Sequence, residues 1–145
     1  MMSVILALTC AAISSITDLR SGLVYDRVTG WSAAAIALCS LRTGTSGGAC
    51  LGALLCGGAL YALHLGTRGR GLGLGDVKLA GVIGAGLGGA QAIEAIAAAF
   101  VAAALWTAPQ LAVGRLHRGD QIRFAPFLAI GALGFVLATS VARHG

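Results

Sequence analysis

Charged side chains are scarce in this chain of 145 residues, at 10% of the total. A soluble domain carries about 25% charged residues and about 45–50% apolar ones. Here the apolar share is 57% and the mean hydropathy is +0.88. So few charges cannot cover a surface that faces water. So high an apolar content also excludes a disordered chain, which needs low hydrophobicity and high net charge. The composition therefore predicts an integral membrane protein.

Other protein classes are excluded by patterns that the sequence lacks. The 23 glycines have no period of three, which a collagen requires. None of the four cysteines belongs to a Cys-x-x-Cys pair, so neither a zinc site nor a disulfide framework is expected, and the cysteines are predicted to be small buried thiols. Residues 1–17 carry no basic side chain, although a secretory signal begins with one. These residues are therefore expected to form a retained first helix.

Charged segments divide the sequence into six apolar runs. The runs are 2–17, 28–41, 48–66, 79–87, 92–113 and 124–142. Each helical span needs about 20 residues, so a chain of this length has room for about six and for no separate soluble domain. The sequence predicts an all-α polytopic membrane protein with about six transmembrane helices, forming one domain over residues 1–145.

Basic residues are distributed unevenly between the connections of these runs. Eight of the ten lie in the first, third and fifth connections, and the other two are Arg42 and Arg143. Since basic residues gather on the cytoplasmic side of a membrane, this predicts that the first, third and fifth connections are cytoplasmic and that both termini are extracytoplasmic. The expected location is the inner (cytoplasmic) membrane of the cell. The net charge of +5 is explained in the same way, so the expected partner is the lipid bilayer and not nucleic acid.

Two of the five acidic residues stand where chemistry is expected. Asp18 follows the first apolar run and Asp76 precedes the fourth, both on the predicted cytoplasmic side. An ionisable residue at membrane depth is costly, which makes it a functional candidate. Two nearby carboxylates can share a proton, so that one activates a water and the other protonates a scissile carbonyl. A proton relay in a small transporter, or ion pairs with Arg20 and Lys78, would use the same acids.

Glycines precede the second of these acids. Gly73 and Gly75 form a Gly-x-Gly-Asp sequence with Asp76 at the start of a helix. The spacing fits neither a dinucleotide fingerprint nor a phosphate loop. Two glycines so placed predict either an unusual backbone conformation or a substrate that passes where a side chain would stand. Elsewhere, glycines four residues apart at 48/52 and 84/88 predict closely packed helices, and Gly88-Gly89 predicts a turn.

Three stretches of the sequence resemble the type IV prepilin peptidase family, the membrane aspartyl proteases with a Gly-x-Gly-Asp motif. The second stretch, at 73–79, is the most specific, and the third, at 123–131, is similar to the family's Pro-Phe-Gly-Pro-Phe-Leu-Ala segment. The first consists of Asp18-Leu19-Arg20 and the acid Asp26. Their order and spacing cover nearly the whole chain.

The resemblance implies an enzyme with Asp18 and Asp76 as its catalytic pair and with no cofactor or metal. It implies a prepilin or pseudopilin substrate, whose short basic leader is cleaved off at the cytoplasmic face just before a hydrophobic helix. Gly73, Gly75 and Lys78 are the candidate substrate-binding residues. The alternatives left open are a small proton-coupled transporter and a non-catalytic pilus assembly factor.

The sequence also departs from the family pattern. Tyr25 stands where the family usually has a proline, and the cysteine-rich zinc-binding insert of the bifunctional members is missing. The chain is therefore similar to the short peptidases of Flp or tight-adherence pili and to preflagellin peptidases, without an expected N-methyltransferase activity. Asp26 is predicted to cap the second helix, with a catalytic role as its alternative. Lys78 is alternatively a membrane-surface anchor, and His64 is expected to be an ordinary interface residue.

Overall fold

The computed structural model describes residues 2–21, 26–67, 72–114 and 124–144, without the side chains of 18–21, 26–28, 43, 143 and 144. These residues form six α-helices, and no strand occurs among them, which confirms the all-α prediction. The helices are α1 (Met2–Ser21), α2 (Asp26–Thr43), α3 (Ser46–Gly66), α4 (Leu74–Leu87), α5 (Gly89–Ala112) and α6 (Ala125–His144).

Consecutive helices run in opposite directions, and α1 also runs opposite to α4 and α6. A Cβ atom placed on Gly86, near the end of α4, would lie 2.9 Å from the Ser3 carbonyl oxygen at the start of α1. At the other end of α1, the Ser15 hydroxyl donates to the Ala125 carbonyl oxygen over 3.1 Å, where α6 begins. The end of α1 and the starts of α4 and α6 therefore meet at one end of the bundle, which we call the charged end.

Turns built on glycine connect helices at the opposite end. Gly44 has a φ of +70° between α2 and α3, and Gly88 and Gly89 have φ of +77° and +32° between α4 and α5. Glycine adopts this left-handed region without the steric cost that a Cβ atom brings. The predicted Gly88-Gly89 turn is confirmed. At this end, the α2–α3 and α4–α5 connections both consist of described residues. The other three connections contain residues 22–25, 68–71 and 115–123, and the helix ends next to them lie at the charged end.

Close contact between α3 and α4 depends on paired glycines. A Cβ atom on Gly84 would lie 2.7 Å from the Gly52 carbonyl carbon and 3.0 Å from the Cys56 Cβ atom. One turn further along, a Cβ atom on Gly57 would lie 3.4 Å from the Gly81 Cα atom. Small residues allow membrane helices to approach this closely. The expectation of glycine-mediated packing is confirmed for Gly52 and Gly84.

Three of the six helices are long and apolar enough to cross a membrane, namely α3, α5 and α6 over Ala125–Ala142. In α1, the apolar part is shorter and covers Met2–Thr17. The central helix α4 has 14 residues, eight of them buried. Its length of about 21 Å is less than the hydrocarbon core of about 30 Å. An end of α4 therefore lies at membrane depth if its other end reaches the surface.

The fourth apolar run was predicted to begin at residue 79, but α4 begins five residues earlier, at Leu74. The expectation that Asp76 stands at the start of a helix is confirmed, but the residues up to Lys78 had been counted with the preceding connection. Asp76 lies in the first turn, where an acid interacts favourably with the helix dipole, whereas the dipole does not favour a cation there and Lys78 is exposed.

Candidate active site

Asp76 is buried in the first turn of α4. Its exposed fraction is 7%, whereas Glu94, the other acid with a described side chain, is exposed on α5. A carboxylate is rarely buried without hydrogen bonds or a shared proton, because desolvation of the charge is costly. Among the described acids, Asp76 therefore has the environment expected of a functional group.

Gly73 lies directly against the Asp76 carboxylate. Gly73 is the N-cap of α4 and makes no side-chain capping bond, and its carbonyl oxygen accepts the N–H groups of Asp76 and Val77 over 3.2 and 3.4 Å. A Cβ atom at position 73 would lie 3.6 Å from Asp76 Oδ2. Any side chain there would therefore touch the carboxylate, and glycine leaves this approach to Asp76 open.

The glycines before Asp76 do not have an unusual backbone. Gly73 has extended angles, with φ −74° and ψ 150°, and Gly75 lies within the regular first turn of α4. The sequence had left two explanations for Gly73 and Gly75, and the first of them, an unusual backbone conformation, is wrong for both residues. The remaining alternative is that glycine keeps space free near Asp76.

Asp18 lies in the last turn of α1, at the charged end. Its side chain, like that of Asp26, is outside the described part of the chain. The height of Asp18 along the bundle, relative to Asp76, follows from the contact between Ala7 on α1 and Gly86 on the antiparallel helix α4. Position 18 is eleven residues after Ala7, and position 76 is ten residues before Gly86. At 1.5 Å per residue these paths are about 16.5 and 15 Å long, and Ser3, one turn before Ala7, also touches Gly86, so the backbones at positions 18 and 76 lie within about one to two helical turns of each other along the bundle.

Lys78 lines a groove of about 520 Å³ between α2, α3 and α4. Small or short side chains form most of its wall, among them Thr29, Ala33, Ala53 and Gly81. Lys78 is exposed, and it lies near the charged end of this otherwise largely apolar surface. The first two turns of α4 thus carry both the buried carboxyl of Asp76 and Lys78, which lines the groove.

The third stretch of the resemblance begins α6. Phe124 is buried, and its ring centroid lies 4.8 Å from that of Phe100 on α5. Further along α6, a Cβ atom on Gly131 would lie 2.5 Å from the Ala95 carbonyl oxygen. These contacts pack α6 against α5 and hold the start of α6 at the charged end. In the described residues, this stretch thus contributes packing next to the site.

Sequence reasoning missed two polar contacts at the charged end. His64 Nδ1 lies 2.6 Å from the Leu72 carbonyl oxygen, which joins the end of α3 to the residue before Gly73. Ser15, buried on α1, forms the bond to Ala125 described above. Both partners are backbone carbonyls, which no pattern of side chains in the sequence identifies. Within the described ranges, no group of three His, Cys, Asp or Glu residues could hold a metal ion.

Comparison with protein-family models gives a match to the type IV leader peptidase family over residues 5–108. The match contains the stretches of Asp18 and Asp76 and ends before α6. Comparison with curated proteins and with solved structures gives no significant match. The family model covers well over half of the chain, together with the helices that form the candidate site. The chain therefore belongs to the type IV leader peptidase family.

Proposed function

We propose that this membrane protein is an aspartyl endopeptidase that removes the basic leader from type IV prepilin-like precursors at the cytoplasmic face. Asp18 and Asp76 are its catalytic residues, and the reaction uses no cofactor. The observation that carries the proposal is the burial of Asp76 beside Gly73, near the level of Asp18 on the neighbouring helix α1. Family membership supports the peptidase activity.

In the proposed mechanism the two carboxyl groups share one proton. The ionised carboxylate takes a proton from a water molecule, whose oxygen attacks the carbonyl carbon of the scissile peptide bond. The protonated carboxyl donates its proton to the carbonyl oxygen, which gives a neutral tetrahedral diol. Transfer of a proton to the leaving nitrogen then breaks the C–N bond and releases the leader with a new carboxyl end. The mature chain keeps the new amino terminus.

The contacts of the first turns of α4 support separate roles for the other candidate residues. Gly73, whose missing Cβ atom would lie 3.6 Å from Asp76 Oδ2, leaves space for an extended substrate backbone, and we assign the same role to Gly75 in the first turn of α4. Lys78, on the groove between α2, α3 and α4, contacts the precursor on the membrane side of the cleaved bond. The groove is largely apolar, which suits the hydrophobic segment that follows a leader.

Co-expression with a precursor tests this function against its alternatives. The wild-type chain should convert a prepilin with a basic leader into a shorter product, and mass spectrometry of that product identifies the cleaved bond. An Asp76→Asn variant present in the same amount should leave the precursor intact. A transporter or an assembly factor would leave the precursor at full length with either chain.

Topology provides an independent prediction. A reporter enzyme that is active only outside the cytoplasm should be active when fused after Arg143. A reporter that is active only inside the cytoplasm should be active when inserted between residues 115 and 123. The reason is that eight of the ten basic residues lie in the connections of the charged end or in the helix turns next to them. The reverse pattern would put Asp76 on the side opposite to a cytoplasmic leader and would favour a transporter.

The space at Gly75 should be essential for cleavage. Gly75→Val should reduce the rate about a hundredfold, which is the typical cost of a displacement of about 1 Å in a reacting group. The matched control is Gly134→Val on α6, where a Cβ atom would meet nothing within 4 Å. Processing is measured in membranes that contain equal amounts of each variant. Normal processing by Gly75→Val would show that cleavage does not depend on the absence of a side chain at position 75.

A further inference from the structure

His64 connects the end of α3 to the segment that leads into α4. Its Nδ1 atom lies 2.6 Å from the Leu72 carbonyl oxygen, and its ring stacks on Tyr61 with 6.3 Å between the centroids. The side chain is half-buried in the last turn of α3. A carbonyl oxygen only accepts hydrogen bonds, so Nδ1 carries the proton and donates it.

The Leu72 carbonyl precedes the N-cap of α4 by one residue. Leu72 itself is buried, and the next carbonyl, that of Gly73, accepts the N–H groups of Asp76 and Val77. The hydrogen bond from His64 and the capping bonds of α4 thus act on consecutive peptide units. A displacement of the Leu72 carbonyl would move Gly73 and, with it, the turn that holds Asp76.

Glycines on both sides of Leu72 in the sequence make the hydrogen bond from His64 important for the position of this residue. Gly71 and Gly73 flank Leu72 in the sequence, and glycine has the widest choice of backbone angles of any residue. Gly73 makes no side-chain capping bond of its own. The hydrogen bond from His64 on the packed helix α3 therefore adds a restraint on the Leu72 carbonyl that no side chain of Gly73 supplies.

We propose that His64 is a positioning residue for Asp76, acting through the Leu72 carbonyl and the N-terminal turn of α4 without touching the substrate. The inference extends the function proposed above, since it assigns to His64 the orientation of a catalytic carboxylate. From the sequence, His64 had been expected to be an ordinary interface residue.

Three substitutions of His64 separate the hydrogen bond from packing. In His64→Asn the side-chain amide nitrogen occupies nearly the place of Nδ1 and can donate to Leu72. The aspartate of His64→Asp has the shape of the asparagine but, when ionised, has no donor for the Leu72 carbonyl. The leucine of His64→Leu fills space with apolar atoms and makes no hydrogen bond. Thr67→Val is the control, because the Thr67 hydroxyl donates to the Leu63 and His64 carbonyl oxygens of its own helical segment, over 3.0 and 3.2 Å.

Cleavage kinetics of the purified variants give the first measurement. We expect His64→Asn and Thr67→Val to keep kcat within about threefold of the wild type. His64→Asp and His64→Leu should lower kcat by between about tenfold and a hundredfold with little change in KM, as a misplaced catalytic group does. Equal loss in the Asn and Leu variants, or wild-type kcat in all three, would overturn the inference.

Amide hydrogen exchange gives a second measurement that does not depend on cleavage. The Asp76 and Val77 amides should exchange several-fold faster in His64→Leu than in the wild type, and at the wild-type rate in His64→Asn. Unchanged exchange in His64→Leu would contradict the positioning role even in an active enzyme. Faster exchange in His64→Leu, together with a wild-type protein that cleaves no precursor, would support the action of His64 on the Asp76 turn and reject the peptidase function.

Discussion

Asp18→Asn and Asp76→Asn are each expected to abolish precursor cleavage while the protein still inserts into the membrane. Asparagine keeps the size of the side chain but can neither take a proton from water nor share one with a second carboxylate. Acid–base catalysis alone contributes about 10²- to 10⁴-fold to a rate, so processing should fall below detection in a short co-expression. The measurement is the processed fraction of the precursor in membranes with equal amounts of each variant.

A double variant shows whether the two acids act as a unit. Residues that work in one step are non-additive, so the Asp18→Asn/Asp76→Asn protein should lose little more than either single variant. Glu94→Gln is the matched control, because Glu94 is exposed on α5 toward the opposite end of the bundle. Normal cleavage by Asp18→Asn would reject Asp18 as a catalytic residue, and Asp26 would become the candidate.

Gly84→Val should prevent stable packing of α3 against α4. The new side chain would overlap the backbone of Gly52, whose carbonyl carbon lies 2.7 Å from the Cβ position, and the Cys56 Cβ atom at 3.0 Å. Overpacking of a core typically costs about 1–3 kcal/mol, and backbone atoms have less freedom to move than side chains. We expect a loss of at least about 3 kcal/mol, measured as the thermal unfolding of purified protein in detergent.

Gly58→Val on α3 is the control for this substitution, since a Cβ atom at Gly58 would meet nothing within 4 Å. The two variants make the same chemical change in neighbouring helices of the same bundle. Gly58→Val should therefore unfold at nearly the wild-type temperature. Equal stability of Gly84→Val and Gly58→Val would contradict the close approach of α3 and α4.

Much of the fold follows from the spacing of charges in the sequence. Interruptions of the apolar runs predicted six helices, and the Gly88-Gly89 pair predicted the turn between α4 and α5. Asp76 was placed correctly at a helix start, but the apolar run of α4 was drawn too short because the charged residues up to Lys78 look like members of a polar connection. Charge alone does not tell a connection from the first turn of a helix, where an acid is stabilised by the free N–H groups.

The candidate site could be predicted in part. Asp76 was identified because an acid after two glycines has few purely structural explanations, and its burial agrees with that interpretation. The contact of His64 with Leu72 could not be predicted, because its acceptor is a backbone carbonyl eight residues away, beyond the end of the helix. The order of contacts around α4 was also out of reach, since one sequence contains no information on which of six helices is central.

Cleavage of a purified precursor by the purified chain in lipid vesicles is the most direct test of the central claim. The substrate carries a short basic leader and a hydrophobic segment, and the products are identified by mass spectrometry. We predict that the wild-type protein, with a metal chelator present, releases the leader in one cut just before the hydrophobic segment, and that Asp76→Asn releases none. Release of the same leader by Asp76→Asn at the wild-type rate would contradict the claim, as would an intact precursor with the folded wild-type protein.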